Sequence, residues 1–380
     1  LVKVVDFSNK EKPVSLASKL VEETLFDPAV TEVSWEEEQR FTLVLQNSEI
    51  ESEQTNPIPQ GAVFLVSGGT GGITAPIVED LARHTQGHFY LLARSHLPEK
   101  DHLELELLAK DPEQLKFTIL QRLSKSGQKA TPAIINQEIA GLERAAATIK
   151  IMEAIHKAGG QTSYLPCDVS DQIAVNEVVK QIIQNEGRVD VLIHAAGVEK
   201  SRKLDSKSEE EFRQIINVKA SGFFNLFKAL ENENQLPKAI VNFGSVAGRF
   251  GNTGQTDYSA ANDLLCRLTS AFRQQYPEIQ VITIDWGAWA DVGMASRGHI
   301  PELMKRVGID MIHPQQAAIC VRRELEAGSC GEVVLAGSLG LLENQKDPYG
   351  GLDVEKANLA LTSGQPIHVM LSRASGVSLQ

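Results

Sequence analysis

Tyr258, in the stretch GQTDYSAAND (254–263), stands among small residues at the start of a predicted helix. Asn262 follows one helical turn later, on the same face. A tyrosine that moves a proton near neutral pH needs an electrostatic helper, because its unperturbed pKa is about 10. The usual helper is a lysine one turn on, and here that position is asparagine. Either the tyrosine does no chemistry, or its cation arrives from elsewhere in the chain.

A second candidate is LVSGGTGGIT (65–74), in which glycines follow an apolar strand pattern and precede a helical one. Such a loop lets the backbone approach a pyrophosphate, while the helix N-terminus offers N–H donors and a positive dipole end. Gly68, Gly69, Thr70, Gly71, Gly72 and Ile73 form this candidate cradle. Thr74 stands where a further glycine is often found, so helix–strand packing there must accept a side chain. The next strand ends in LLARS, with Arg94 and Ser95 where an acid would hold the ribose 2′-hydroxyl of NAD. A guanidinium suits a 2′-phosphate and predicts NADPH; a solvated surface arginine is the bland alternative. CDVS sets Asp168 and Val169 at the end of a third strand, where the aspartate could contact adenine. HAAG (194–197) ends a fourth, and Ala195, Ala196 and Gly197 would let a cofactor lie against backbone. His194 reads as packing rather than chemistry.

The elements that must position these residues alternate. AVFLVSGG, HFYLLARS, QTSYLPCDVS, RVDVLIHAAG, KAIVNFGSVAG, QVITIDWGAWA and EVVLAGS read as buried strands, with amphipathic helices between them. That order predicts an α/β fold: a Rossmann-type doubly wound parallel sheet of about seven strands. A helical insertion after the second strand, 97–143, reads as two or three short helices whose apolar spacing marks a packing face. Residues 1–56 are polar, with one or two strands in 31–45 and an acidic, proline-bearing linker in 48–60. They are expected to be a partial subdomain and linker, 57–343 the dinucleotide-binding domain, and 344–380 a linker or tail.

The chain has 380 residues, 42% hydrophobic and 23% charged, with a formal net charge of −12, which argues against a general nucleic-acid role. No apolar run approaches the ~20 residues of a membrane span. The first residue is Leu1 and no signal peptide follows, so a segment of a longer chain or a processed product is expected. The cysteines Cys167, Cys266, Cys320 and Cys330 form no C-x-x-C pair, the histidines show no metal-ligand spacing, and no metal is expected. This thiol usage suits a reducing cytoplasm.

The pieces SGGTGGI, LLARS, CDVSD, HAAGV, NVKASGFFNL, FGSVAGRFGNTGQTDYSAAND and DWGAWADVGMA, in order over about 67–295, resemble short-chain dehydrogenases/reductases. Within these the chain is similar to the ketoreductase domains of type I polyketide synthases and related polyunsaturated fatty acid synthases. The resemblance implies an NADPH-dependent reduction of a β-ketoacyl thioester on acyl carrier protein, beside neighbouring synthase domains. It also implies where the cation comes from. In ordinary short-chain reductases an asparagine lies on the preceding long helix and a lysine follows the tyrosine; in synthase ketoreductases the two exchange places. The lysine is then Lys219, in NVKASG, and the asparagine is Asn262, with Ser245 of FGSVAG supplying the hydroxyl. Lys219 is implied to contact the nicotinamide ribose as well. A serine in a turn, a surface tyrosine, and a helix-facing asparagine and lysine are each ordinary singly; all four at matching positions are not.

The first 56 residues resemble the end of the inactive subdomain that precedes many such ketoreductases, and the insertion resembles one in the polyunsaturated fatty acid branch. The resemblance breaks in two places. EKSRKLDSK (199–207) lacks the Leu-Asp-Asp triplet of one stereochemical class, and Phe250 stands where the other often has tryptophan. Either configuration of the hydroxyl stays open. Residues 291–310 look like a lid, with Trp286, Trp289 and Met294 at its entrance. A non-catalytic scaffold and a free-standing reductase are the competing readings; the intact four-residue set argues against the first, and the partial first subdomain against the second.

Overall fold

The computed structural model describes residues 3–8, 12–25, 30–36, 38–45, 57–98, 102–293 and 298–339. Met294, most of the predicted linker and the 344–380 tail lie outside these. The chain divides into two compact units.

The smaller unit holds strand β1 (Val4–Phe7), helix α1 (Pro13–Leu25), and strands β2 (Glu32–Glu36) and β3 (Gln39–Thr42). β1 runs parallel to β2, and β3 pairs antiparallel with it. Polar composition hides β1 and α1 from a reading of the sequence. What holds the unit is a buried carboxylate: Glu23 of α1 accepts from Trp35 Nε1 at 2.9 Å and from Arg40 Nε at 2.6 Å, with Lys3 Nζ 2.6 Å away. Burial pushes against ionisation there, yet Arg40 and Lys3 hold the carboxyl down to about 2.

The larger unit carries the dinucleotide pattern. β4 (Val63–Ser67), α2 (Thr74–Thr85) and β5 (His88–Ala93) come first. The insertion follows as α3 (Leu103–Lys110), α4 (Pro112–Lys125) and α5 (Pro132–Lys157). Its last helix is not a separate short piece: α5 runs unbroken into the stretch expected to be the next sheet-covering helix. Leu115, Ile119, Leu123 and Leu142 form a small core of their own, while Ile151 and Ile155, further along α5, join the main one. Then come β6 (Gln161–Pro166), α6 (Gln172–Glu186), β7 (Val191–His194), α7 (Glu209–Ile216) and α8 (Gly222–Asn232). β8 (Ala239–Ser245), α9 (Val246–Phe250), α10 (Thr256–Gln275), β9 (Gln280–Trp286), α11 (Ile300–Arg306), α12 (Pro314–Glu326) and β10 (Gly331–Leu335) complete it.

The seven strands form one sheet, ordered β10-β9-β8-β7-β4-β5-β6, and every pair in it is parallel. Apolar side chains on both faces explain why strands such as β4 read as continuous hydrophobic runs. The chain order reverses between β4 and β7, and ligands of such sheets bind outside the carboxyl ends of the strands at that reversal.

Candidate active site

The glycine loop lies at that switch point, between β4 and α2. Gly68 has a φ of +67°, and a Cβ there would stand 2.6 Å from the amide nitrogen of Ala196, so only glycine fits. Gly71 N–H donates to the Gly68 carbonyl at 3.0 Å, and the Thr74 hydroxyl donates to the same carbonyl at 3.2 Å. The side chain that replaces the usual glycine therefore closes the loop from inside. Gly69 packs on Leu91, Gly72 faces the Gly293 amide, Ile73 leans on the main core, and Thr70 is half-buried.

Arg94 and Asp168 line a cleft of about 940 Å³ together with Ser170, Lys200, Glu211 and Asn217. Its lining does not include the glycine loop, Ser245 or Tyr258. Among the described residues the Arg94 guanidinium has no ion-pair partner. The Asp168 carboxylate accepts from Ser170 N and Oγ at 3.0 and 2.6 Å, which fixes the turn after β6. Ser95 gives its carbonyl to the Tyr164 hydroxyl. Val169 is buried and its carbonyl accepts from Asn225 Nδ2 at 3.0 Å, tying α8 to the end of β6.

Beyond β7, Ala195, Ala196 and Gly197 run against the glycine loop and under Lys219. The Ala195 carbonyl would lie 2.8 Å from a Cβ on Gly68, and Lys219 Nζ 3.3 Å from one on Gly197. Lys219 sits on a π-helical turn, Asn217–Ser221, between α7 and α8. Such turns are rare and favour functional sites. The turn has a buried anchor in His194, whose ring lies 2.7 Å from Ser67 Oγ and 2.8 Å from the Lys219 carbonyl. A carbonyl only accepts, so Nε2 carries the proton and Nδ1 accepts from Ser67. Full burial, then the Lys219 charge, lower the His194 pKa to about 3, so the ring is neutral. The packing role expected for His194 is thus specific: it holds Lys219.

The Lys219 ammonium donates to the Phe243 carbonyl in β8, and the residue is 5% exposed. Burial lowers its pKa to about 8, against the pull of Asp285. Ser245, at the end of β8, caps the short α9 by accepting from Ala247 N at 3.2 Å. Tyr258 lies in the first turns of α10, buried with Ile215, Ala247 and Ala261. Burial raises the phenol's pKa, and hydrogen bonds from Ser245 and Asn262 partly offset this. Asn262 donates Nδ2 to the Tyr258 carbonyl at 2.7 Å, while its Oδ1 is buried with no hydrogen-bond partner among the described residues.

Two residues differ from expectation. Trp286 and Trp289 are 4% and 3% exposed and pack edge to face in the core that includes Ile77 and Val321. They fill the layer between the sheet and α2 and α12 rather than line an entrance. Sequence reasoning also misses Asp285. It is fully buried beside this site, accepts weak hydrogen bonds from the Cys266 thiol at 3.6 and 3.7 Å, and burial and then Glu332 hold its pKa well above the usual carboxylate range. The signal for it is an acid inside the apolar run VITIDW.

Comparisons with known proteins match the fold and the sequence profile. The sequence profile of the KR domain matches residues 62–291. A polyunsaturated fatty acid synthase component from Thraustochytrium sp. is 29% identical over 288 residues, covering 73% of this chain and 10% of that one. This chain thus spans about a tenth of that relative's length. A crystal structure of a ketoreductase domain from the bacillaene assembly line superposes with a TM-score of 0.70 at 20% identity, over 90% of this chain and 71% of that one. A short-chain dehydrogenase from Burkholderia cenocepacia, in complex with NADP, gives 0.55 at 19% identity, over 73% and 98%. The switch-point loop, the parallel sheet and the profile match lead to one assignment: the chain belongs to the KR domain family.

Proposed function

We propose that this chain reduces a β-ketoacyl thioester, carried on acyl carrier protein, to the β-hydroxyacyl thioester with NADPH, as one domain of a polyketide or fatty acid synthase. What supports this is that Tyr258 is buried with Ser245 and Asn262 as its hydrogen-bonding neighbours, while the Lys219 ammonium is tied to the Phe243 carbonyl two residues before Ser245, in a chain of the KR domain family.

The residues present fit the cofactor. A cradle that a Cβ at Gly68 would fill, an α2 N-terminus facing it, and an Arg94 with no ion-pair partner among the described residues suit a pyrophosphate and a 2′-phosphate. Gly69 to Ile73, Ser95, Asp168, Val169 and Ala195 to Gly197 would border the bound molecule. NADPH would supply hydride to the β-keto carbon. Ser245 and Tyr258 would hydrogen-bond the ketone oxygen as negative charge builds there, and Tyr258 would hand it a proton. A raised phenol pKa keeps the proton on Tyr258 at neutral pH, the state a donor needs. The Lys219 ammonium would stabilise the tyrosinate left behind. The unpaired Asn262 Oδ1 would hold Lys219 or a water in the relay that refills Tyr258.

The name of the synthase relative supports neighbouring domains, and residues 1–56 and 344–380 read as a partial structural subdomain and a linker around the 57–343 domain. No helix among the described residues is long and apolar enough to cross a membrane. The test is NADPH oxidation with a β-ketoacyl thioester and chiral analysis of the product. Absence of turnover with intact NADPH binding would favour the scaffold reading.

A further inference from the structure

Lys207 and Asp257 form an ion pair whose side chains are 1% and 0% exposed. Lys207 Nζ reaches both carboxylate oxygens at 2.8 Å and the Lys200 carbonyl at 2.9 Å, which uses all three of its donors. Asp257 Oδ1 accepts in addition from the backbone N–H of Tyr258, at 2.8 Å. The pair therefore joins three segments: the loop after β7, the start of α7, which Ser208 caps, and the first turn of α10. The first and last of these are stitched elsewhere too. Arg202 N donates to the Gly254 carbonyl at 2.9 Å, and Gln255 Nε2 to Glu199 Oε1 at 3.0 Å.

Burying both charges is expensive, and apolar residues of similar volume often hold a fold as well. The placement gives the reason for the charges. The carboxylate meets a favourable helix N-terminus and grips the amide of the residue whose phenol reaches Ser245. We propose that Lys207 and Asp257 are a positioning pair that fixes Tyr258 through its backbone amide and locks the 199–207 loop beside the reacting centre. The proposal rests on the reductase reading for its kinetic readout, and on amide protection independently of it.

The test uses the full chain with NADPH and a β-ketoacyl thioester, plus hydrogen exchange at residues 255–259. Lys207→Met leaves a buried carboxylate unpaired, and kcat should fall by about 10²-fold with KM for NADPH little changed, the scale of a small misplacement of a reacting group. Two double variants separate anchoring from packing and remain readable should the single variant fail to fold. Lys207→Met with Asp257→Leu removes both charges and the anchor: Tm should recover, while kcat stays low and the Tyr258 amide exchanges faster. Lys207→Met with Asp257→Asn removes the charges but keeps an acceptor for that amide, and should regain about 10-fold or more of the lost kcat. Wild-type kcat and wild-type amide protection in the Met/Leu variant would overturn the proposal. Should the unaltered chain turn over no β-ketoacyl thioester, the reductase reading falls, and protection of the Tyr258 amide across the same variants decides the positioning claim alone.

Discussion

The Lys219 carbonyl accepts a hydrogen bond from His194 Nε2 at 2.8 Å, so a neutral histidine at the end of β7 holds the π turn that carries the ammonium. The sign of its pH effect follows. His194 has a native pKa of about 3 against 6.5 when free. Between those values the unfolded chain binds a proton that the native chain refuses, so stability is whole above pH 6.5 and declines as pH falls towards 3. The drop should reach several kcal/mol, from about 1.4 kcal/mol per pKa unit. His194→Gln should flatten this acid limb in urea titrations across pH 4–7. It should also lower kcat, because the anchor of Lys219 is altered. An unchanged limb would mean that His194 is not the group that titrates.

Lys219→Met should stabilise the protein while removing activity. The structure buries the Lys219 ammonium, so its loss is felt by the fold. A lysine depressed to about 8 from 10.5 penalises the native state below pH 8, and that penalty fades as pH rises towards 10.5. Substituting methionine should therefore raise stability near pH 7 by up to about 3 kcal/mol, again at about 1.4 kcal/mol per unit. Calorimetry at pH 7 and at pH 10 checks it, since the gain should shrink at the higher pH. The kinetic loss should be on the order of 10²–10⁴-fold.

Spacing reveals which residues share a face, as it does for Tyr258 and Asn262 in DYSAAND; Lys219 is reached only through the resemblance of NVKASG to synthase ketoreductases, and its burial is not legible at all. Burial depends on what the fold lays over them, here β8 and the loop after β7. The same limit hides Asp285, which is silent until Cys266 and Glu332 arrive from other elements. Lys207 and Asp257 lie far apart in sequence and look like ordinary surface charges. The glycine loop and the strand order are legible because both depend on local pattern: apolar runs, turn residues, and helical periodicity. The 26 residues of α5 read as two pieces because its apolar positions serve two cores, one around Leu142 and one around Ile151 and Ile155.

Arg94 is predicted to choose the cofactor. With no ion-pair partner among the described residues, Arg94→Ala should leave Tm unchanged. Loss of a charge-assisted contact to a 2′-phosphate, worth about 1.5–3 kcal/mol, should weaken NADPH binding by roughly 10–100-fold. NADH affinity should stay near its starting value. Equal losses for both cofactors, measured by fluorescence titration, would place Arg94 away from the 2′-phosphate.

The last prediction concerns Asp285, the acid that the proposed chemistry does not use. Gly244 leaves its space: a Cβ on Gly244 would stand 1.9 Å from Asp285 Oδ1, so Gly244→Ala should destabilise strongly and lower activity with it. Asp285→Asn is the more informative change, because it keeps the shape. An ionised Asp285 would support protonation of Lys219 against burial, alongside Cys266. Removing that charge should lower the lysine's pKa below about 8, and the reduction rate should then fall off at a lower pH than in the unaltered chain. Burial and Glu332, however, push the Asp285 carboxyl itself towards its neutral form. A carboxyl that already holds its proton exerts no pull on Lys219. The alkaline limb of the pH–rate profile separates the two states. A downward shift in Asp285→Asn means that the carboxylate is ionised while the enzyme works. A limb that does not move means that Asp285 carries its proton throughout, and that Lys219 stays charged with no help from it.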